Sequence, residues 1–213
     1  MSRINKFLFL VALAAGFAIA TPASAATNLA SYLTNTNPGE SIYRDIGGNK
    51  YDGACQPFTI SAGNYRVTAM QAYLKKTGSP TEALRFRIYA SAGGSNCATN
   101  LGSLIGGNDA VPAASVTGSY SYVSAVPSGN IDLVTATTYF FVIDTANQGT
   151  NDTTYYQWGI GNSGIPYSSS YYKYNGAFAI ETGYNVNFEI DGDPTPAAAV
   201  TLSYGIVSIF GDW

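Results

Sequence analysis

Apolar and polar positions alternate with a period of two along much of this chain, the pattern of strands with one buried face. In residues 84–89, Leu84, Phe86 and Ile88 alternate with Arg85, Arg87 and Tyr89. Residues 184–191 repeat that logic with Val186, Phe188 and Ile190 facing inward. Residues 67–76 place Met70, Ala72 and Leu74 on one face, and Val67 falls out of phase with them, which predicts a bulge nearby. The run 139–143, Tyr-Phe-Phe-Val-Ile, is apolar on both faces and predicts a central strand. Shorter candidates cover residues 42–46, 56–60, 120–123, 155–160, 171–174, 177–181 and 200–210. Turn residues at 77–80 and 192–194 punctuate them. Beyond residue 25 no window sustains a helical period with caps. The chain therefore reads as all-β, a single antiparallel β-sandwich of jelly-roll type.

Residues 1–25 have the layout of an export signal. Arg3 and Lys6 precede a 14-residue apolar stretch, residues 7–20, and Ala23-Ser24-Ala25 supplies the small residues of a cleavage site. The stretch is shorter than the ~20 residues of a membrane span. Cleavage would leave residues 26–213 as one β-sandwich domain, enough chain to bury a core of its own. The product is expected to be secreted, with no membrane span in the mature chain. Cys55 and Cys97 are the two cysteines of the chain. An even number in an exported protein predicts a structural disulfide. No histidine is present to activate either thiol as a nucleophile.

Several of these segments carry a resemblance. They are residues 56–59 (Gln-Pro-Phe-Thr), 67–81 (Val-Thr-Ala-Met-Gln-Ala-Tyr-Leu-Lys-Lys-Thr-Gly-Ser-Pro-Thr), 84–89, 133–140 (Leu-Val-Thr-Ala-Thr-Thr-Tyr-Phe) and the Tyr-rich stretch around Trp158-Gly159. Over roughly residues 55–190 the chain resembles secreted β-sandwich modules of the "choice-of-anchor" kind. Such modules are appended to extracellular bacterial and viral proteins and described as carbohydrate-binding-like. The resemblance implies a fold and an extracellular, bacterial-type setting; it supplies no catalytic motif, and the chain departs from the pattern in having no evident C-terminal sorting anchor.

Composition narrows the chemistry. Ten basic and 13 acidic side chains give a net charge of −3, and removal of residues 1–25 takes away two of the basic ones and none of the acidic. A chain of that balance, with a pI near 4.7, does not present a phosphate-tracking basic surface for nucleic acid. The lack of histidine excludes the usual serine and cysteine triads and removes the commonest zinc ligand. Glu40, Glu82, Glu181 and Glu189 are the four glutamates, and Glu189 with Asp191 shares one strand face. No motif raises that pair to a glycosidase site, so no catalytic residue and no enzyme activity is expected. Asp191-Gly192-Asp193, Asn151-Asp152 and Asn108-Asp109 are oxygen-rich loops that suit a structural calcium ion, but none has EF-hand spacing, and no cofactor or metal is expected. Arg85 and Arg87 are expected to pair with neighbouring acids.

The distribution of tyrosine is the strongest functional signal. Seven of the 17 tyrosines lie between residues 155 and 184. Rigid aromatic rings offer an apolar stacking surface with a polar edge, suited to the faces of pyranose rings. Tyr155, Tyr156, Trp158, Tyr171, Tyr172 and Tyr174 are accordingly the candidate ligand-binding residues, although adjacent residues of one strand point to opposite faces. The sequence thus predicts a non-catalytic protein that binds polysaccharide or another cell-surface glycan or polymer. The alternative is a self-associating extracellular matrix or filament subunit, with the apolar segment 197–210 as a strand for lending to a neighbour.

Overall fold

A computed structural model describes residues 25–33, 39–147, 149, 152–162, 169–174, 176–182 and 184–195. Residues 1–24 of the predicted export signal and the apolar segment 197–210 lie outside the described residues.

The described chain folds into two antiparallel sheets packed face to face, a β-sandwich. Its strands are β1 (Thr27–Tyr32), β2 (Gly39–Ile42), β3 (Arg44–Ile46), β4 (Asn49–Thr59), β5 (Tyr65–Thr77), β6 (Leu84–Ser91), β7 (Leu101–Val111), β8 (Ser121–Ala125) and β9 (Asp132–Leu133), followed by β10 (Thr138–Thr145), β11 (Tyr155–Asn162), β12 (Ser169–Tyr174), β13 (Ala177–Thr182), β14 (Tyr184–Val186) and β15 (Phe188–Pro194). One sheet runs β1-β15-β5-β11-β14, with β2 on β11 and with β8 and β9 on β5. The other runs β13-β12-β4-β10-β6-β7, with β3 on β4. A single helical turn, α1 (Cys97–Asn100), is capped by the Asn96 side chain, which accepts from the Ala98 N–H at 2.8 Å. It is too short to leave a periodic signature in the sequence.

The period-two pattern decides what lies between the sheets. Met70, Ala72 and Leu74 of β5, Phe86 and Ile88 of β6, Phe141 and Ile143 of β10, and Phe188 and Ile190 of β15 all enter one core. The alternate residues of β10, Phe140 and Val142, are buried too. They lie beneath a second, smaller cluster with Cys55 and Cys97 on the outer side of that sheet. This is why residues 139–143 are apolar on both faces. The predicted disulfide closes there, joining Cys55 of β4 to Cys97 of α1 across 42 residues of sequence.

The expected bulge lies at Thr68: Asp191 pairs with Ala69 and Gly192 with Val67, skipping one residue of β5. That skip restores Val67 to the core and keeps residues 192–194 in β15, where a turn is expected from their composition. Residues 42–46 also depart from the expected single strand. Tyr43 adopts a positive φ of 61°, which divides the segment into β2 on one sheet and β3 on the other.

Residues 184–191 form two strands that meet a third at Asn187. β5 pairs with β15 as far as Ala72 and with β11 from Leu74 onward, so the three strands converge between these positions. The Asn187 N–H donates to the Gly159 carbonyl at 2.7 Å, and its own carbonyl accepts from the Tyr73 N–H at 3.1 Å. The Trp158 indole N–H donates to the same carbonyl at 2.8 Å. Beyond this junction β14 is tied to the opposite sheet through the buried Gln56 of β4. The Val186 N–H donates to Gln56 Oε1 at 3.1 Å, and Gln56 Nε2 donates to Asn185 Oδ1 at 3.2 Å. A buried amide so satisfied holds one sheet against the other with directional bonds that an apolar side chain cannot supply.

Candidate functional site: a tyrosine-lined sheet face

The predicted aromatic surface does not assemble as the sequence suggests. Trp158 and Tyr156 are fully buried. Trp158 points inward from β11 and meets Phe141 edge-on, with ring centroids 5.2 Å apart. The Tyr156 hydroxyl donates to the Glu82 carbonyl. Both are core residues and not the ligand contacts their sequence predicts: their even positions in β11 share the inward face with Ile42 and Leu74 of the neighbouring strands. Tyr171, Tyr172 and Tyr174 belong to β12, in the sheet that does not contain β11. Tyr171 pairs with Cys55 and Tyr172 with Ala54; the side chains of these three tyrosines lie outside the described residues. Of the six candidates, Tyr155 is left on the outer face of the first sheet, its ring under the Arg44 guanidinium, 4.3 Å from Cζ to the ring centroid.

That face carries a different set of tyrosines. Tyr73 of β5 stands opposite Tyr122 of β8, with ring centroids 5.0 Å apart. Tyr120, just before β8, stacks on the other side of Tyr73 at 5.2 Å and an interplanar angle of 16°. The alternation that sends Ala72 and Leu74 inward necessarily sends Tyr73 outward, and Val123 does the same for Tyr122. Two glycines make room for them. A Cβ on Gly159 would lie 2.8 Å from Tyr73 Cδ1, and one on Gly39 would lie 2.7 Å from the Tyr120 hydroxyl. The rings thus lie close over the backbone of β11 and β2. The sequence holds these rings as outward positions of two separate segments, 73 and 120–122, and the density of tyrosine along the chain, highest over residues 155–184, gives no sign that they meet.

Polar groups border the rings. Lys75 Nζ sits 4.8 Å from the Tyr120 ring centroid. Glu189 and Asp191 of β15 face outward beside Gln71 of β5. Gln71 Nε2 donates to Glu189 Oε2 at 3.4 Å and to Asp191 Oδ2 at 3.3 Å, and Asn28 Nδ2 donates to Glu189 Oε1 at 2.5 Å. Burial, with Glu189 alongside, raises the Asp191 carboxyl above the usual carboxylate range. Tyr122 is 38% exposed, and Tyr73 and Tyr120 are partly so. Burial pushes the Tyr120 phenol up to about 12, opposed by the proximity of the Gly39 backbone, with the Tyr155 and Tyr73 phenols adding to the rise. Burial likewise pushes Tyr156 up to about 12.

These shifts have a direct consequence in alkali. A phenol whose folded value lies above the ordinary value of 10.0 favours the fold below pH ~10 and progressively disfavours it as pH rises through about 12. Ultraviolet difference titration of the folded protein should leave these two phenols un-ionised when the exposed ones have already titrated. The Tyr120→Phe variant should lack one of the two late ionisations. Titration of every phenol near pH ~10 in the folded protein would contradict the burial of both.

The charged residues of the second sheet are engaged elsewhere. Arg85 pairs with Asp144 at 2.7 Å and Arg87 with Asp109 at 2.6 Å, as expected for outward arginines of β6. Asp109 is held below the usual carboxylate range by Arg87, and Asp152 is bound by Arg44. Among the described residues no three acidic or cysteine side chains converge as a metal site. A shallow cavity of about 390 Å³ opens on the outer side of this sheet, walled by Tyr89, Leu101 and Phe178 over Val142 and Cys97. Among the described residues no helix is long and apolar enough to cross a membrane.

No family model matches the chain, and no curated protein matches it. A solved structure of the cysteine protease and lectin-like domains of Cwp84, a surface layer associated protein of Clostridium difficile, is similar with a TM-score of 0.45 and 14% sequence identity. The similarity covers 69% of this chain and 32% of that one, about a third of the solved chain's length.

Proposed function

We propose that the protein is a non-catalytic, extracellular carbohydrate-binding module that engages its polymer on the outer face of the first sheet. The observation that carries this reading is the contiguous set Tyr73, Tyr120 and Tyr122, stacked on one another and bordered by side-chain amides and carboxylates. Pyranose rings present apolar C–H faces to aromatic rings, while their hydroxyls need donors and acceptors at the ring edge. A sheet face held by ladder hydrogen bonds provides both without ordering loops on binding, which keeps the entropic cost of association low. Export and cleavage after residue 25 belong to the same proposal. The Cys55–Cys97 disulfide supports an oxidising compartment.

Sedimentation with insoluble polysaccharides tests it. The Tyr73→Ala/Tyr122→Ala variant should lose at least about tenfold in affinity, about 1.4 kcal/mol, for whichever glycan retains the parent. Thermal unfolding serves as the control that the variant is folded. Unchanged retention in a folded variant would overturn the assignment of this face. Concentration-dependent assembly without glycan, lost in the same variant, would reassign the tyrosines to a self-association interface.

A further inference from the structure

We propose that the polymer taken by the tyrosine face carries free amino groups, as a deacetylated amino-sugar polymer does; this rests on the glycan reading above. Two features of different kinds meet here. The first is the pair Glu189 and Asp191, which one nitrogen, Gln71 Nε2, reaches simultaneously at 3.4 and 3.3 Å. Both carboxylates are thus within hydrogen-bonding reach of one point beside β5, and that point already holds an N–H donor. The side of Glu189 away from Gln71 is closed by Asn28, which binds its Oε1. An ammonium entering from solvent meets two acceptors that no described cation engages: Arg66, opposite Asp193 on the same strand pair, is bound to Asp132, and Lys75 sits over the Tyr120 ring.

The second feature is the rings themselves. The negative face of a phenol ring attracts a cation, as the position of Lys75 over Tyr120 already illustrates on this face. Gln71 and Tyr73 are two residues apart on the outward side of β5, about 6.8 Å along the strand, and Tyr122 stands opposite Tyr73. A sugar ring lying on Tyr73 and Tyr122 therefore brings a ring substituent to Glu189 and Asp191. An uncharged N-acetyl group offers these carboxylates a single amide N–H, whereas an ammonium offers three donors and a charge. A carboxylated or sulfated polymer is repelled at the same place. Charge on this face thus sets which polymer is bound, and the aromatic rings set that a polymer is bound at all.

The test compares a β-1,4-glucosamine polymer with its N-acetylated counterpart at equal chain length and at a mildly acidic pH that protonates the amines, with poly-lysine as a third probe. The parent protein should bind the free-amine polymer at least about tenfold more tightly than the acetylated one. In Glu189→Gln/Asp191→Asn that ratio should fall close to one. A charge-matched control, Asp45→Asn/Glu82→Gln, removes two negative charges from other surfaces and should keep the ratio. A ratio that falls equally in the control would mean that net charge alone attracts the polymer and would overturn the inference. Poly-lysine binding that depends on Glu189 and Asp191, without any free-amine glycan binding, would overturn it in favour of a basic polypeptide. Tyrosine-dependent binding of both glycans with a ratio near one would overturn it while leaving the glycan reading intact. Binding of neither glycan, by a protein that another polysaccharide retains through Tyr73 and Tyr122, would overturn it and leave the glycan reading intact.

Discussion

Replacing Trp158 with alanine is expected to destabilise the fold by about 3–5 kcal/mol, lowering Tm by roughly 10–15 °C, without altering the affinity of the remaining folded protein for its polymer. The indole is fully buried between Phe141 and the strands of the first sheet. Its removal leaves a cavity beside Phe141 in the core packed between the two sheets, where the surrounding side chains cannot collapse far. It also withdraws one of the two donors to the Asn187 carbonyl at the three-strand junction. Urea unfolding followed by circular dichroism measures the loss directly. A change below about 1 kcal/mol, accompanied by loss of retention, would return Trp158 to the ligand surface where its sequence neighbourhood suggests it belongs.

The disulfide gives the second large effect. A cross-link spanning 42 residues restricts the unfolded chain by about 4 kcal/mol on a chain-entropy basis. The double variant Cys55→Ala/Cys97→Ala should lose about that much. It should also loosen the outer cluster formed with Phe140 and Val142, while the core between the sheets keeps its own contacts. Hydrogen exchange separates the two consequences. Protection in α1 and the adjoining start of β7 is expected to fall further than protection in β5 and β15. A variant as stable as the parent would show that the cluster packs as well without the bond.

What was legible in the sequence is the part governed by period two. The inward residues of β5, β6, β10 and β15 follow directly from alternation, as does the bulge that Val67's phase requires. The fold class follows from the same pattern. Alternation also contained the outward positions of Tyr73 and Tyr122, but not their proximity. Residues 73 and 122 become neighbours through the pairing of β5 with β8, a register choice made by the whole sheet. The tyrosines at 155 and 156 are adjacent in sequence yet lie on opposite faces of one strand, and Tyr171, Tyr172 and Tyr174 lie in a different sheet. Local density therefore does not give a contiguous aromatic surface, which only long-range pairing defines. The junction at Asn187 was hidden for a related reason: nothing in residues 184–191 records that β5 changes partner between Ala72 and Leu74.

The position of β15 governs when this protein can fold. β15 lies between β1 and β5, so residues 188–194 separate strands that begin at residues 27 and 65. On the ribosome β1 emerges first and has no partner until almost the whole described chain has been made. The first sheet cannot close during synthesis, and its apolar face stays uncovered over that interval. Closure of the first sheet therefore waits for residues 188–194, and until they are available the strands before them are still a thread to any machinery that passes extended polypeptide.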